Sequence, residues 1–320
     1  MLRSFFIYIS KARWARNIVM HWSIAWRVAE RFIAGEKLED AIRVIRNLNS
    51  RGINASLDLL GEHTDSPESA AKATQDILDI FDAIDAVAAR ANVSLKLTQI
   101  GLGVDRQLCI ANMRRILERA KASDSFVRID MEDSPLVDVT LDIYFQLRDE
   151  YGLDNTGVVI QAYLYRSEAD IQRILASNGK VRLCKGAYDE PPKVAFPQKS
   201  DVDANYDRLA RMLIDCELAA GQPRLSADGK VPPIPVIASQ DEQRLQFAKE
   251  YAAQVGLSKD ALEFQMLYGI RRDLQEKLAQ EGYPVRVYVP FGTEWYPYFM
   301  RRLAERPANV WFFLSNFFRK

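Results

Sequence analysis

Histidine and cysteine are scarce in this chain of 320 residues, with two of the first and three of the second. His21 and His63 leave little from which to build a histidine metal cluster or a Ser-His-Asp triad. Cys109, Cys184 and Cys216 lie far apart in sequence and lack metal-ligand spacing, which argues against a zinc site and a disulfide framework and points to an intracellular protein. A Walker loop and a GxGxxG fingerprint are also missing, and the lone GLG at Gly101 to Gly103 is too short to stand in for either. Charge of one sign is not in excess: 43 Lys and Arg face 43 Asp and Glu, so no field that would gather nucleic acid is expected. Long apolar runs are absent from the N-terminus, where MLRSFFIYISKARWARNIVMHW mixes Arg and Lys with apolar residues at helical spacing. That pattern fits neither a cleavable signal peptide nor a membrane span.

What is present is a repeating pattern. With 48% apolar and 27% charged residues, the composition is that of a globular protein of one large domain or two smaller ones. Residues 1–52 read as helices ending at a turn near Gly52. From Ile53 onward, eight apolar, β-rich stretches recur: NASLDLLGE, VSLKLTQIG, SFVRIDMED, GVVIQAYLY, KVRLCKGAY, IPVIASQD, LEFQMLYG and VRVYVPFG. Helical segments follow them at 70–91, 107–122, 137–151, 168–177, 205–220, 242–255, 271–280 and 295–305. Strands buried on both faces and alternating with amphipathic helices imply a parallel sheet, and eight units imply a closed (β/α)8 TIM barrel. An open doubly wound sheet would be unusually wide at eight strands, and no dinucleotide fingerprint follows the first of them. The expected organisation is therefore a set of N-terminal helices packing on a barrel that spans 53–320.

In such a barrel the strand ends converge on one mouth, so residues remote in sequence belong to one site. Those ends are polar here: Glu62, Lys96, Asp130, Glu132, Gln161, Arg182, Lys185, Tyr188, Ser239, Gln240 and Tyr288. Buried without partners they would be costly, so they are expected to pair with one another or with a ligand. Beyond the last strand, Arg301 and Arg302 stand next to each other on a helix, with Glu305 near the same face. Two guanidiniums side by side suit a planar carboxylate or phosphate, although a solvated surface cluster is the plainer account of such a pair. The aromatic residues Trp295, Tyr296, Tyr298 and Phe299 favour an enclosed site. The cations Lys96, Arg182, Lys185, Arg301 and Arg302 imply an anionic ligand.

The segments SLKLTQIG, RIDMEDS, VIQAYLYRS, RLCKGAYDEP, LEFQMLYG and YVPFGTEWYPYFMRRLAERP resemble those of the monofunctional bacterial proline dehydrogenases, flavoenzymes with a distorted (β/α)8 barrel. The resemblance runs from the N-terminal helices to Arg306, and KGAY together with YPYxxRRxAER is its most specific part. It implies oxidation of L-proline to 1-pyrroline-5-carboxylate, with FAD as cofactor and a membrane quinone as electron acceptor. Met131, Gln161, Arg182, Lys185, Gly186, Ala187, Ser239 and Gln240 would then contact FAD, with Arg182 near the flavin N5. Arg301 and Arg302 would take the substrate carboxylate and Lys96 would close the same pocket. Asp130 and Arg182 match the active-site positions. Tyr188 and Tyr288 would wall the proline ring, Glu305 would hold Lys96 or an arginine, and Glu62 would pair with Arg301 as a lid.

The chain departs from that pattern at Ser239 and Gln240, where a Thr-His pair is expected, and at Cys184, which reads as a core residue in place of an aliphatic. The Pro- and Gly-rich stretch AGQPRLSADGKVPPIP reads as a surface excursion. Hydroxyproline oxidation and a flavin-free binding barrel are the alternative functions. The expected location is cytoplasmic. The basic, aromatic first helix and the apolar tail ANVWFFLSNFFRK also admit contact with the inner face of the membrane.

Overall fold

The computed structural model describes residues 23–305, and side chains from 26 to 303. The outermost N-terminal segment and the apolar tail discussed above lie outside these residues. Within them, eight strands form one closed parallel barrel in sequence order. They are β1 (Asn54–Leu59), β2 (Ala91–Leu95), β3 (Val127–Ile129), β4 (Thr156–Gln161), β5 (Lys180–Cys184), β6 (Pro235–Ala238), β7 (Glu263–Leu267) and β8 (Val285–Phe291). The circle closes through β1 and β8, with Ser56 opposite Tyr288 and Asp58 opposite Pro290.

The helices are α1 (Ser23–Ala29), α2 (Leu38–Asn49), α3 (Pro67–Ala86), α4 (Arg106–Lys121), α5 (Val137–Asp149), α6 (Ser167–Ala176), α7 (Lys199–Ala219), α8 (Glu242–Val255), α9 (Arg272–Gln280) and α10 (Trp295–Glu305). Their starts are chemically marked. Ser66 and Ser69 cap α3 reciprocally ahead of Pro67, and the Asp105 carboxylate accepts from the Leu108 amide at the start of α4. The third helix ends five residues earlier than the sequence periodicity suggests, because Ala88 takes a left-handed turn (φ 48°) and the chain re-enters the sheet at Ala91. Conversely, α7 begins at Lys199, six residues before its expected start at Asn205.

Two helices depart from a regular barrel. Helix α2, which precedes the first strand, packs against β8 and β1 and covers the seam where the cylinder closes. Helix α10, which follows the last strand, sends Tyr298, Arg301 and Arg302 into the cavity above the strand ends. It is held there by a second apolar cluster in which Trp295, Tyr296, Phe299 and Leu303 meet Val28, Ala29, Phe32 and Ile33. Of the aromatic group in α10, Trp295, Tyr296 and Phe299 therefore anchor the helix, and Tyr298 faces the site.

Inside the cylinder the side chains are largely polar, which is unusual where branched aliphatics commonly fill the layers. Near the floor, Arg286 donates two bonds of 2.9 Å to Glu263, and both side chains are fully buried. The stretch 220–235 is a surface excursion only as far as Asp228; from Gly229 onward it turns in beneath the floor. Its Gly229 carbonyl accepts from Arg286 at 2.7 Å, its Lys230 carbonyl from Asn92 at 2.8 Å, and its Pro232 carbonyl from Lys180 at 2.7 Å. Buried cations need oxygen acceptors, and these backbone carbonyls supply them. Gly229 has φ +71°, and an added Cβ would meet Asn54 Oδ1 at 2.5 Å, so the approach requires glycine.

Candidate active site

At the opposite end, the strand termini and α10 enclose a cavity of about 620 Å³. Strand alternation brings Lys96, Asp130, Gln161, Arg182, Cys184 and Tyr288 to its wall from five different strands or the residues that immediately follow them. Cys184 is half-buried: it packs against the edge of the core and also faces the cavity. It sits two positions after Arg182 on the same inward face of β5.

The centre of the wall is one connected unit. Asp130 accepts from Arg182 Nη1 at 2.8 Å through one carboxylate oxygen and from the Tyr288 hydroxyl at 2.8 Å through the other. Arg182 Nη2 donates to Ser94 Oγ at 2.9 Å, and its guanidinium carbon lies 5.6 Å from the centre of the Tyr288 ring. Burial and the neighbouring Asp130 charge push the Tyr288 phenol well above its ordinary range, so it stays a neutral donor. Lys96 Nζ lies 3.5 Å from Asp58 and 3.8 Å from Asp130. Burial opposes its charge, yet Asp58, Asp130 and Glu62 together raise the ammonium above its usual value.

Arg301 and Arg302 are not a surface cluster. Arg302 is 7% exposed, and its guanidinium carbon stands 5.0 Å from the Tyr298 ring centre. Arg301 holds Glu62 through both nitrogens, Nη2 at 2.5 Å and Nη1 at 3.1 Å. That pair borders a second, larger cavity of about 1130 Å³ that shares Ala187, Tyr188, Tyr298 and Arg301 with the first. Burial would raise the Glu62 carboxyl, but Arg301 and Lys96 outweigh it and hold it below the ordinary value. Tyr188 lines both cavities, and burial with Glu62 nearby raises its phenol.

Met131, Gln161, Lys185, Gly186, Ala187, Ser239 and Gln240 also line the smaller cavity. The Lys185 ammonium sits between Asp203 at 2.5 Å and Asp241 at 2.6 Å, and Ser239 Oγ accepts from the Asp241 amide at 3.0 Å. The Glu132 carboxylate turns towards the Thr98 hydroxyl at 2.6 Å. Glu305 belongs to α10, but its side chain lies outside those described. Sequence reasoning missed Asp58, Asp203 and Asp241, and named Tyr298 only within the aromatic group. Asp203 and Asp241 had no signal beyond residue type. Asp58 had one, since a carboxylate on the inward face of a buried strand requires a partner.

The fold and this wall define a barrel enzyme with a polar, cation-lined cavity at its mouth. Comparison with known proteins narrows that class. The family sequence pattern described as proline dehydrogenase matches residues 41–314. The proline dehydrogenase of Deinococcus radiodurans is 42% identical over 91% of this chain and 90% of its own length. Proline dehydrogenase 2 of Bacillus subtilis is 40% identical over 99% of both. Among solved structures, proline utilization A from Bdellovibrio bacteriovorus, inactivated by N-propargylglycine, superposes with a TM-score of 0.78 at 26% identity over 88% of this chain. The chain spans only 33% of that larger protein. This chain belongs to the proline dehydrogenase family, the oxidoreductases that carry out the first step of proline catabolism.

Proposed function

We propose that the chain oxidises L-proline to 1-pyrroline-5-carboxylate by hydride transfer to bound FAD, and that the electrons pass on to a quinone. The observation that carries this is the convergence on one cavity of Lys96, Arg301 and Arg302 with two polar atoms suited to a heteroaromatic ring. Gln161 Oε1 and Arg182 Nε are buried at that cavity and have no hydrogen-bond partner among the described residues. One acceptor and one donor in search of partners fit the edge of a flavin, which carries both kinds of atom. Met131, Gly186, Ala187, Ser239 and Gln240 would complete its seat, with Lys185 fixed there by Asp203 and Asp241. Ser239 keeps a hydroxyl and Gln240 a hydrogen-bond donor where the family pattern has Thr and His.

The flavin supplies a two-electron acceptor for the hydride. The protein supplies orientation. Arg302 and Arg301 take the substrate carboxylate, and Lys96 closes the same end. Tyr188 and Tyr288 bound the ring, with Tyr288 fixed by Asp130 so that it cannot swing into the space the ring needs. Glu62, by holding Arg301 across the opening to the larger cavity, acts as the lid that limits water.

The test is direct. The purified protein should be yellow, release FAD into the supernatant on acid precipitation, and reduce a quinone or an artificial dye with proline. Flavin left in the precipitate would refute non-covalent binding, and proline-dependent NADH formation would refute the proposed acceptor. A colourless protein that takes up no added FAD would overturn the reading altogether.

A further inference from the structure

Asp58 is the carboxylate that the reaction as described does not use. It ends the inward face of β1, fully buried, and does not line the cavity. Lys96, 3.5 Å away, lies between it and the space where a ligand would sit. Its Oδ1 is buried and accepts no hydrogen bond among the described residues. The charged and titratable groups facing it are Lys96 beyond β2, Asp130 beyond β3, Tyr288 on β8 and Glu62 beyond β1. Asp130 is paired with Arg182 and Glu62 with Arg301, whereas Lys96 is the cation within ion-pair distance of Asp58; a bound substrate would bring one more carboxylate to that ammonium.

Charge and proton balance then set a requirement. An amino acid with a ring nitrogen arrives as a zwitterion, with a protonated amine. Oxidation at the carbon beside that nitrogen needs the nitrogen lone pair, so one proton must leave before the hydride does. The carboxylate left behind adds negative charge to a buried site that already holds Asp58, Asp130 and Glu62. Like charges at close range favour protonation of one of them.

We propose that Asp58 is a positioning residue that stores the substrate's amine proton, acting through Lys96. The N–H bond of the ring ammonium breaks and the ring nitrogen keeps the electron pair. Lys96 passes one proton to Asp58 Oδ2 and takes the ring proton in its place. A neutral zwitterion plus a carboxylate becomes an anion plus a neutral carboxylic acid, and the total charge of the site is unchanged. Burial supports this role by pushing Asp58 up to about 6, against the opposing pull of Lys96. Ionised at neutral pH, it is already close to taking a proton.

The inference rests on the proposed carboxylate pocket, and the experiment separates the two. Tetrahydrofuran-2-carboxylate has the substrate's ring and carboxylate but no amine proton to give. When it binds the FAD-loaded protein near pH 7, Asp58 must draw its proton from solvent. Titration calorimetry in buffers of different ionisation enthalpy should therefore show uptake of most of one proton per molecule bound. Asp58→Asn should abolish the uptake and bind the analogue as tightly as the parent or more tightly. It should also lose the acidic limb of kcat/KM near pH 6 and turn over proline at least tenfold more slowly at pH 7, with recovery at higher pH. Binding without proton uptake, or uptake that persists in Asp58→Asn, overturns the role of Asp58 alone. Absence of binding overturns the carboxylate pocket, and this inference with it. Should the variant not fold, the uptake measured on the parent protein still decides.

Discussion

Replacing Arg302 by Met tests the substrate pocket most sharply, because the two arginines are not equivalent. Arg301 already divides its guanidinium between Glu62 and any ligand. Arg302 is 7% exposed and lies over the Tyr298 ring at 5.0 Å, a stacking that a methionine side chain of similar length retains in part. What Met removes is the charge and the donor fork. Hydrogen bonds to charged groups contribute roughly 1.5 to 3 kcal/mol each, so the loss of one or two in a closed pocket should cost about 2 to 4 kcal/mol. That corresponds to roughly thirty-fold to a thousand-fold in kcat/KM. If Arg302 grips the carboxylate equally in the ground and transition states, nearly all of the change should appear in KM. The assay is dye-linked proline oxidation with flavin content held equal, accompanied by the affinity for tetrahydrofuran-2-carboxylate. Arg301→Met should lose less analogue affinity but more stability, since it leaves the Glu62 carboxylate without its partner. Unchanged analogue affinity in Arg302→Met would refute the reasoning and move the carboxylate site to Lys96 and Arg182.

Two other outcomes follow from ion pairs on the structure. Because Arg301 depresses Glu62 below its ordinary 4.5, the pair stabilises the fold fully above that value and loses its contribution as pH falls through the lower folded value. The melting temperatures of the parent and Glu62→Gln should differ by a constant amount above about pH 5 and converge below it; a gap independent of pH down to the acid limit would contradict the pairing. On the barrel floor, Arg286→Met strands Glu263 in the interior and should destabilise by roughly 3 to 5 kcal/mol in urea unfolding. Adding Glu263→Gln should restore part of the loss, and a double variant no better than the single one would show that the charge pair is not the cause.

The barrel was legible in the sequence because β-branched, doubly buried strands recur eight times, and most helices could be placed to within a few residues. The errors have local causes. A left-handed turn at Ala88, without the glycine that usually marks one, let the helical pattern before it appear to run on to Ala91. The stretch 220–235 has the composition of an exposed loop, and nothing in its own residues shows that Arg286 and Lys180, from other strands, draw on its carbonyls. In the site, Arg301, Arg302, Lys96, Asp130, Arg182 and Tyr288 were readable as inward or strand-end residues and through resemblance. Asp203 and Asp241 were not, since only folding brings the start of α7 and the loop after β6 to the same ammonium. The placement of α10 across the mouth also escapes helical periodicity, which shows that a helix has an apolar stripe and not which neighbour covers it.

The floor segment bears on how the molecule can be handled. Judged by length and by its glycines and prolines, 220–235 is where one would insert a tag, graft a peptide or expect a protease to cut without harm. Its carbonyls at Gly229, Lys230 and Pro232 nevertheless complete the bonding of Arg286, Asn92 and Lys180. A break or insertion there would withdraw acceptors from charges at the bottom of the cylinder and let water reach them from below. The run 229–235 should therefore resist limited proteolysis although 220–228 is exposed, and a fusion made at Gly229 should cost the whole barrel its cooperativity.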